Sequence, residues 1–104
     1  MNDRNTCFFI SEIVSGDLIK NIDSEISIEL DYIIHQSNKM ELETACDEMR
    51  RLRSNLLKEV NKFYTIDAIS HYKRLSLEAY IKEKIGKSIF YIKTIVYESE
   101  VNDN

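Results

Sequence analysis

Proline is absent from the 104 residues, and glycine occurs only at Gly16 and Gly86. A dinucleotide fingerprint, a phosphate-cradling loop and a nucleophile elbow each place several glycines in one turn. Two isolated glycines write none of them. Sandwiches and barrels need many turn residues, so an all-β domain is excluded on the same ground. The missing proline fits long uninterrupted helices, since a proline in a helix interior costs about 3 kcal/mol. Cysteine is also scarce. Cys7 and Cys46 form no C-x-x-C pair for zinc or redox chemistry. Two thiols in a chain with no recognisable leader are expected to stay reduced, in a soluble intracellular protein of the cytoplasm or nucleus. The apolar cluster from Cys7 to Ile10 is too short for a membrane span.

Charge is plentiful but unevenly placed. Residues 1–48 hold eleven acids against three bases, and residues 49–104 hold eleven bases against seven acids. The plain reading is two oppositely charged helical layers that pack on each other. The sharper one is a nucleic-acid surface on the basic half. The net charge of −4 speaks against it, because unspecific affinity comes from neutralising phosphates.

Apolar spacing predicts four successive helices and a different tail. The first runs from Thr6, as N-cap, to Ser15, with Phe9, Ile10, Ile13 and Val14 on one face and Gly16 as a left-handed C-terminal cap. An extended piece, Leu18–Ile22, follows. The second helix starts at Asp23, carries Ile26, Leu30, Ile33 and Ile34 inward, and ends near Ser37–Asn38. The third is long and central. Leu42, Ala45, Met49, Leu52, Leu56, Val60 and Phe63 recur every three or four residues, with acids in the first turns and bases later. The fourth is capped by Thr65 or Asp67 and ends at Gly86. One stripe of it is Ala68, Tyr72, Leu75 and Ala79, widened by Leu77, Tyr80, Ile81 and Ile85. In the tail, Ile89–Tyr97 is β-branched and aromatic. Propensity favours a strand there, while spacing equally permits a helix with Ile89, Ile92 and Val96 inside. The expected fold is therefore all-α: a single domain over 1–104, a bundle of four to five helices in 6–86, and an interaction tail in 87–104.

No reactive cluster emerges. His35 and His71 have no second ligand at metal spacing, and Cys46 lies among Glu43, Asp47 and Glu48, which disfavour a thiolate. The expectation is a non-enzyme without metal, cofactor or small-molecule substrate. Tyrosine, apolar in body and polar at its tip, suits interfaces. Tyr72, Tyr80, Phe90, Tyr91 and Tyr97 thus mark the last third as a surface for a protein partner or a second copy. Arg50, Arg51, Arg53, Lys73 and Arg74 are the candidate nucleic-acid contacts, a less favoured use.

The order "SGDLIKNIDSEISIELDYII", "MRRLRSNLLKEVNKFY", "HYKRLSLEAYIKEKIG" resembles the helical domain of GINS subunits over about residues 10–86. Tyr72, Lys73, Arg74, Leu75, Leu77, Tyr80 and Ile81 stand where that family has its "YKR-x-L-x-x-Y-[IM]" segment. The family usually adds a small β-domain; after Gly86 this sequence reads "KSIFYIKTIVYESEVNDN", which on that resemblance corresponds to a single remnant strand. The resemblance implies a non-catalytic subunit of a replication complex that assembles through its helices. A small bacterial or viral adaptor, chaperone or inhibitor is the alternative within the binding class, and a nucleic-acid-binding regulator the alternative outside it.

Overall fold

A computed structural model describes the backbone of residues 3–98 and the side chains of residues 13–98. It contains three helices, α1 (Asp3–His35), α2 (Leu42–Thr65) and α3 (His71–Tyr91), and α3 runs on into a π-helical segment, Ile92–Tyr97. The helices alternate in direction, and each packs against the other two. Phe63, near the end of α2, shares a surface cleft with Val14 of α1, while Tyr97 reaches Met40 at the opposite end of the bundle. All four sequence-expected helices therefore exist as helical backbone, but the first two are one.

That fusion corrects the expected boundaries. Gly16 has no positive φ, and Leu18–Ile22 is helical rather than extended. A mid-helix glycine costs roughly 1 kcal/mol, and packing outweighs it. Ser15, Leu18, Ile22, Ile26 and Ile33 are all buried along one face of α1, so the seam crosses Gly16 without a break. Asp23 consequently lies mid-helix instead of capping one. The helix ends where the His35 ring bonds to the Asp31 carbonyl oxygen at 2.7 Å, a polar side chain meeting an orphan acceptor. Of the face expected for the first helix, Val14 packs on the core and Ile13 is exposed; the side chains of Phe9 and Ile10 lie outside the described residues.

Helix α2 follows its sequence pattern throughout. Ala45, Met49, Leu56 and Val60 are buried, and Leu42, Leu52 and Phe63 pack against them. It stops in a Schellman motif. The Ala68 N–H donates to the Phe63 carbonyl (2.9 Å) and the Asp67 N–H to the Tyr64 carbonyl (3.0 Å), which satisfies two orphan acceptors. The residue forced into the left-handed region is Asp67, φ 60°, a place glycine usually takes. Neither Thr65 nor Asp67 caps the next helix. Ser70 does, its hydroxyl accepting the Lys73 N–H at 3.1 Å.

Helix α3 departs most from expectation. Gly86 does not end it, and no strand occurs among the described residues. Leu77, Ile81, Ile85, Ser88 and Ile92 are buried, so the inward face runs straight past Gly86 into the π-segment. Tyr72, Leu75 and Ala79, one of the two stripes the spacing offered, point to solvent instead. The reason is length. The stripe through Leu77 continues with β-branched isoleucines for four more turns, whereas the other meets Gly86 and Phe90. At the far end the Tyr97 hydroxyl donates to the Met40 carbonyl oxygen at 2.7 Å, tying the π-segment to the α1–α2 loop.

Two stability changes are expected. Asp67→Gly relieves a left-handed side chain and should raise the thermal midpoint by several degrees, consistent with about 0.5–1 kcal/mol. Gly86→Ala, where a new Cβ would meet nothing within 4 Å, should stabilise by a similar amount. Thermal melts followed by circular dichroism check both; a lower midpoint for Asp67→Gly contradicts the assigned turn.

Candidate protein-interaction face

The outward side of α3 is built by its register. With Leu77, Ile81 and Ile85 fixed inward, residues 72, 76, 79, 83, 86 and 90 fall on the opposite stripe, spaced four and three alternately. Tyr72 and Phe90 stand at its two ends, 76% and 68% exposed, with Leu75 half-exposed on the flank. Between them lie Ser76, Ala79 and Gly86, exposed and small, and Glu83, exposed and charged. The stripe thus has a ring at each end, small residues at 76, 79 and 86, and the Glu83 carboxylate near its middle. Lys82, Lys87 and Lys93 border it, and Lys87 pairs with Glu83 at 3.0 Å.

The five aromatic residues singled out from the sequence divide in two. Tyr72, Phe90 and Tyr91 are exposed. Tyr80 and Tyr97 are partly buried and serve contacts inside the chain. The Tyr80 hydroxyl donates to Asp23 Oδ1 of α1 at 2.5 Å, and Lys84 approaches both partners, 3.9 Å from that carboxylate oxygen and 5.5 Å from the Tyr80 ring centroid. The hydrogen bond to Asp23 pushes the Tyr80 phenol above its ordinary range, with desolvation adding to it. This contact joins the acidic first helix to the basic third.

The five basic residues are not brought together. Arg50 bonds to Asp47 at 2.7 Å and Arg51 to Glu48 at 3.1 Å, both one turn back on α2. Arg53 follows half-buried on the same helix. Lys73 and Arg74 stand at the start of α3, near the opposite end of α2. There Arg74 stacks 4.3 Å from the Tyr64 ring centroid, bonds to His71 Nδ1 at 3.1 Å and lies 3.8 Å from Glu78. A continuous phosphate track is not formed by this set.

Other titratable groups serve the fold. Cys46 is fully buried, and burial raises its thiol first; Lys93 and Arg50 oppose that, Glu43 and Asp47 assist it. The Cys7 side chain lies outside the described residues. Glu29 is raised by desolvation, then by the neighbouring Glu48 carboxylate, with Arg51 acting the other way. One Glu29 oxygen is buried without a hydrogen-bond partner. Among the described residues no group of three or more His, Cys, Asp or Glu side chains could hold a metal ion, and no helix is long and apolar enough to cross a membrane. A surface groove of about 560 Å³ lies between α1 and α3, with Asp23, Ser27, Lys84, Lys87 and Tyr91 among its walls.

Leu75, Ala79 and Gly86 were missed as surface residues. Gly86 was the available signal: a glycine inside a continuing isoleucine seam has no turn to make.

Comparison with protein-family models, with curated proteins and with solved structures returned no match, so the functional reading stands on this chain's own residues.

Two measurements probe these contacts. Tyr80→Phe and Tyr97→Phe each remove one inter-element hydrogen bond and should cost about 1 kcal/mol in chemical denaturation; no loss in either would contradict the tie it makes. For Glu29 the folded state holds its proton more tightly than the unfolded chain does. Its contribution is present in full below the unfolded value near 4.5 and is lost as pH rises through the higher folded value. Glu29→Gln should therefore gain stability over the native chain as pH rises across that window and keep the gain at neutral pH. Parallel melts from pH 4 to 7 that never diverge would contradict it.

Proposed function

We propose that this protein is a non-catalytic assembly module that works by protein contact, with the outward side of α3 as its contact surface. One observation carries the reading. Tyr72, Leu75 and Ala79, at the spacing of a core seam, face solvent on the first half of the third helix, and Phe90 and Tyr91 face solvent at its end. An exposed apolar stripe of this kind marks an interaction site more often than an idle surface.

Within this class the finer reading is a GINS-like subunit of a replication complex, supported by the residue pattern across 10–86. Binding through nucleic acid is less well supported, because Arg50, Arg51 and Arg74 already face acidic neighbours.

The test is quantitative affinity capture by the immobilised chain, native against Tyr72→Asp/Phe90→Asp, from a lysate of the source organism. Both substitutions are on exposed rings, so helicity should be unchanged. At least one protein, counting further copies of this chain, should be retained by the native form and lost, by tenfold or more, from the variant. Identical retention by the two forms would contradict the proposal.

A further inference from the structure

We infer that the groove between α1 and α2, on the side of the bundle away from α3, is a docking site for a basic amphipathic helix of a partner protein. It is a second surface, separate from the outward side of α3, and either can fail without the other. Its lining is apolar at Val14 and Leu18 of α1 and at Leu52, Leu56 and Phe63 of α2. Two depressions of about 300 and 340 Å³ share Asn21 and Glu59 and form one trough. Val14 and Phe63 line one end of this side, and Glu29 meets Glu48 at the other. That span is about four helical turns, or roughly 22 Å. The apolar surface continues along α1. Residues 21, 25, 28 and 32 share one stripe, and Ile28 and Tyr32 on it are 64% and 53% exposed.

Charge selects the occupant. Asp17, Glu25 and Glu59 line the trough, and no base does. None of the three is in an ion pair with a described residue. Lys20, Lys58 and Lys62 are exposed and lie outside the lining. At the far end the carboxylates of Glu29 and Glu48 face one guanidinium, that of Arg51, which pairs with Glu48 at 3.1 Å. One Glu29 oxygen is buried without a hydrogen-bond partner, an acceptor that an incoming guanidinium or ammonium would fill. Five carboxylates against one base, beside an apolar floor, complement an apolar stripe flanked by lysine or arginine. The α1–α3 groove differs, because its charges are already used: Asp23 by Tyr80 and Lys84, and Lys87 by Glu83. Shape selects a helix. The trough offers side chains and no free backbone edge, so an extended segment would leave its N–H and C=O groups unpaired there, whereas a helix bonds its own. The same carboxylates repel a phosphate backbone.

The probe is a synthetic peptide of about 18 residues, leucine at i, i+3, i+4 and i+7 spacing and lysine elsewhere, titrated by fluorescence anisotropy; the same peptide with glutamate for lysine is the control. The full chain should bind the lysine peptide saturably and the glutamate peptide not at all. Asp17→Lys/Glu25→Lys/Glu59→Lys should weaken binding by about tenfold or more. Asp31→Lys/Glu43→Lys/Glu98→Lys makes the same change in net charge at exposed positions outside the trough, and should alter binding by less than about threefold. Circular dichroism of both variants confirms folding. Amide shift mapping on the native chain needs no variant: perturbations should gather in residues 14–32 and 48–63 and spare 72–90. Equal losses in the two triple variants, shifts confined to α3, or no saturable binding up to about 1 mM peptide would overturn the site. Self-association of the native chain that the first triple variant abolishes would overturn the partner protein as its occupant, in favour of a second copy.

Discussion

The structure depends on one apolar seam. Ile22 and Ile33 of α1, Met49 and Val60 of α2, Ile81 and Ile85 of α3 and Ile92 of the π-segment are each at most 1% exposed, and together they run most of the bundle's length. Fully burying one such side chain is worth about 1.5–3 kcal/mol. That exceeds every local preference the seam overrides, including two mid-helix glycines at roughly 1 kcal/mol each. It also fixes rotation. Once Ile81, Ile85 and Ile92 point inward, the angular position of every other residue on α3 is settled, and with it the identity of the exposed stripe.

Polar contacts then trim the bundle. Asp23 and Tyr80 bridge α1 to α3, Tyr97 closes the far end on Met40, and the Ser70 cap and the Schellman turn shape the α2–α3 connection. None is buried deeply enough to rival the seam. Their role is register: each ties a residue on one element to a definite level on another.

Legibility in the sequence varied with how many constraints a segment obeys. Helix α2 was fully readable, because its apolar period, its acid-to-base gradient and its length agree. Helix α1 reads locally as two pieces because Gly16 resembles a C-terminal cap and Asp23 an N-terminal one; only tertiary burial shows that the seam crosses them. Helix α3 offered two stripes of similar apolarity, and local spacing has no means of choosing between them. The choice falls to Ile85 and Ile92, which were assigned respectively to the end of a helix and to an ambiguous tail. Among the ring residues, exposure of Tyr72, Phe90 and Tyr91 followed from the chosen face, while the inward ties of Tyr80 and Tyr97 reach partners 57 positions away and leave no local trace.

The rotation of α3 is therefore the claim on which fold and function both rest. Single cysteines introduced by Ala79→Cys, Leu75→Cys, Ile81→Cys and Ile85→Cys, in a Cys7→Ser background, measure it through the rate of thiol labelling of the dilute folded protein. The account predicts rapid labelling at 75 and 79 and strong protection at 81 and 85. Protection at 75 and 79 with rapid labelling at 81 and 85 would contradict it.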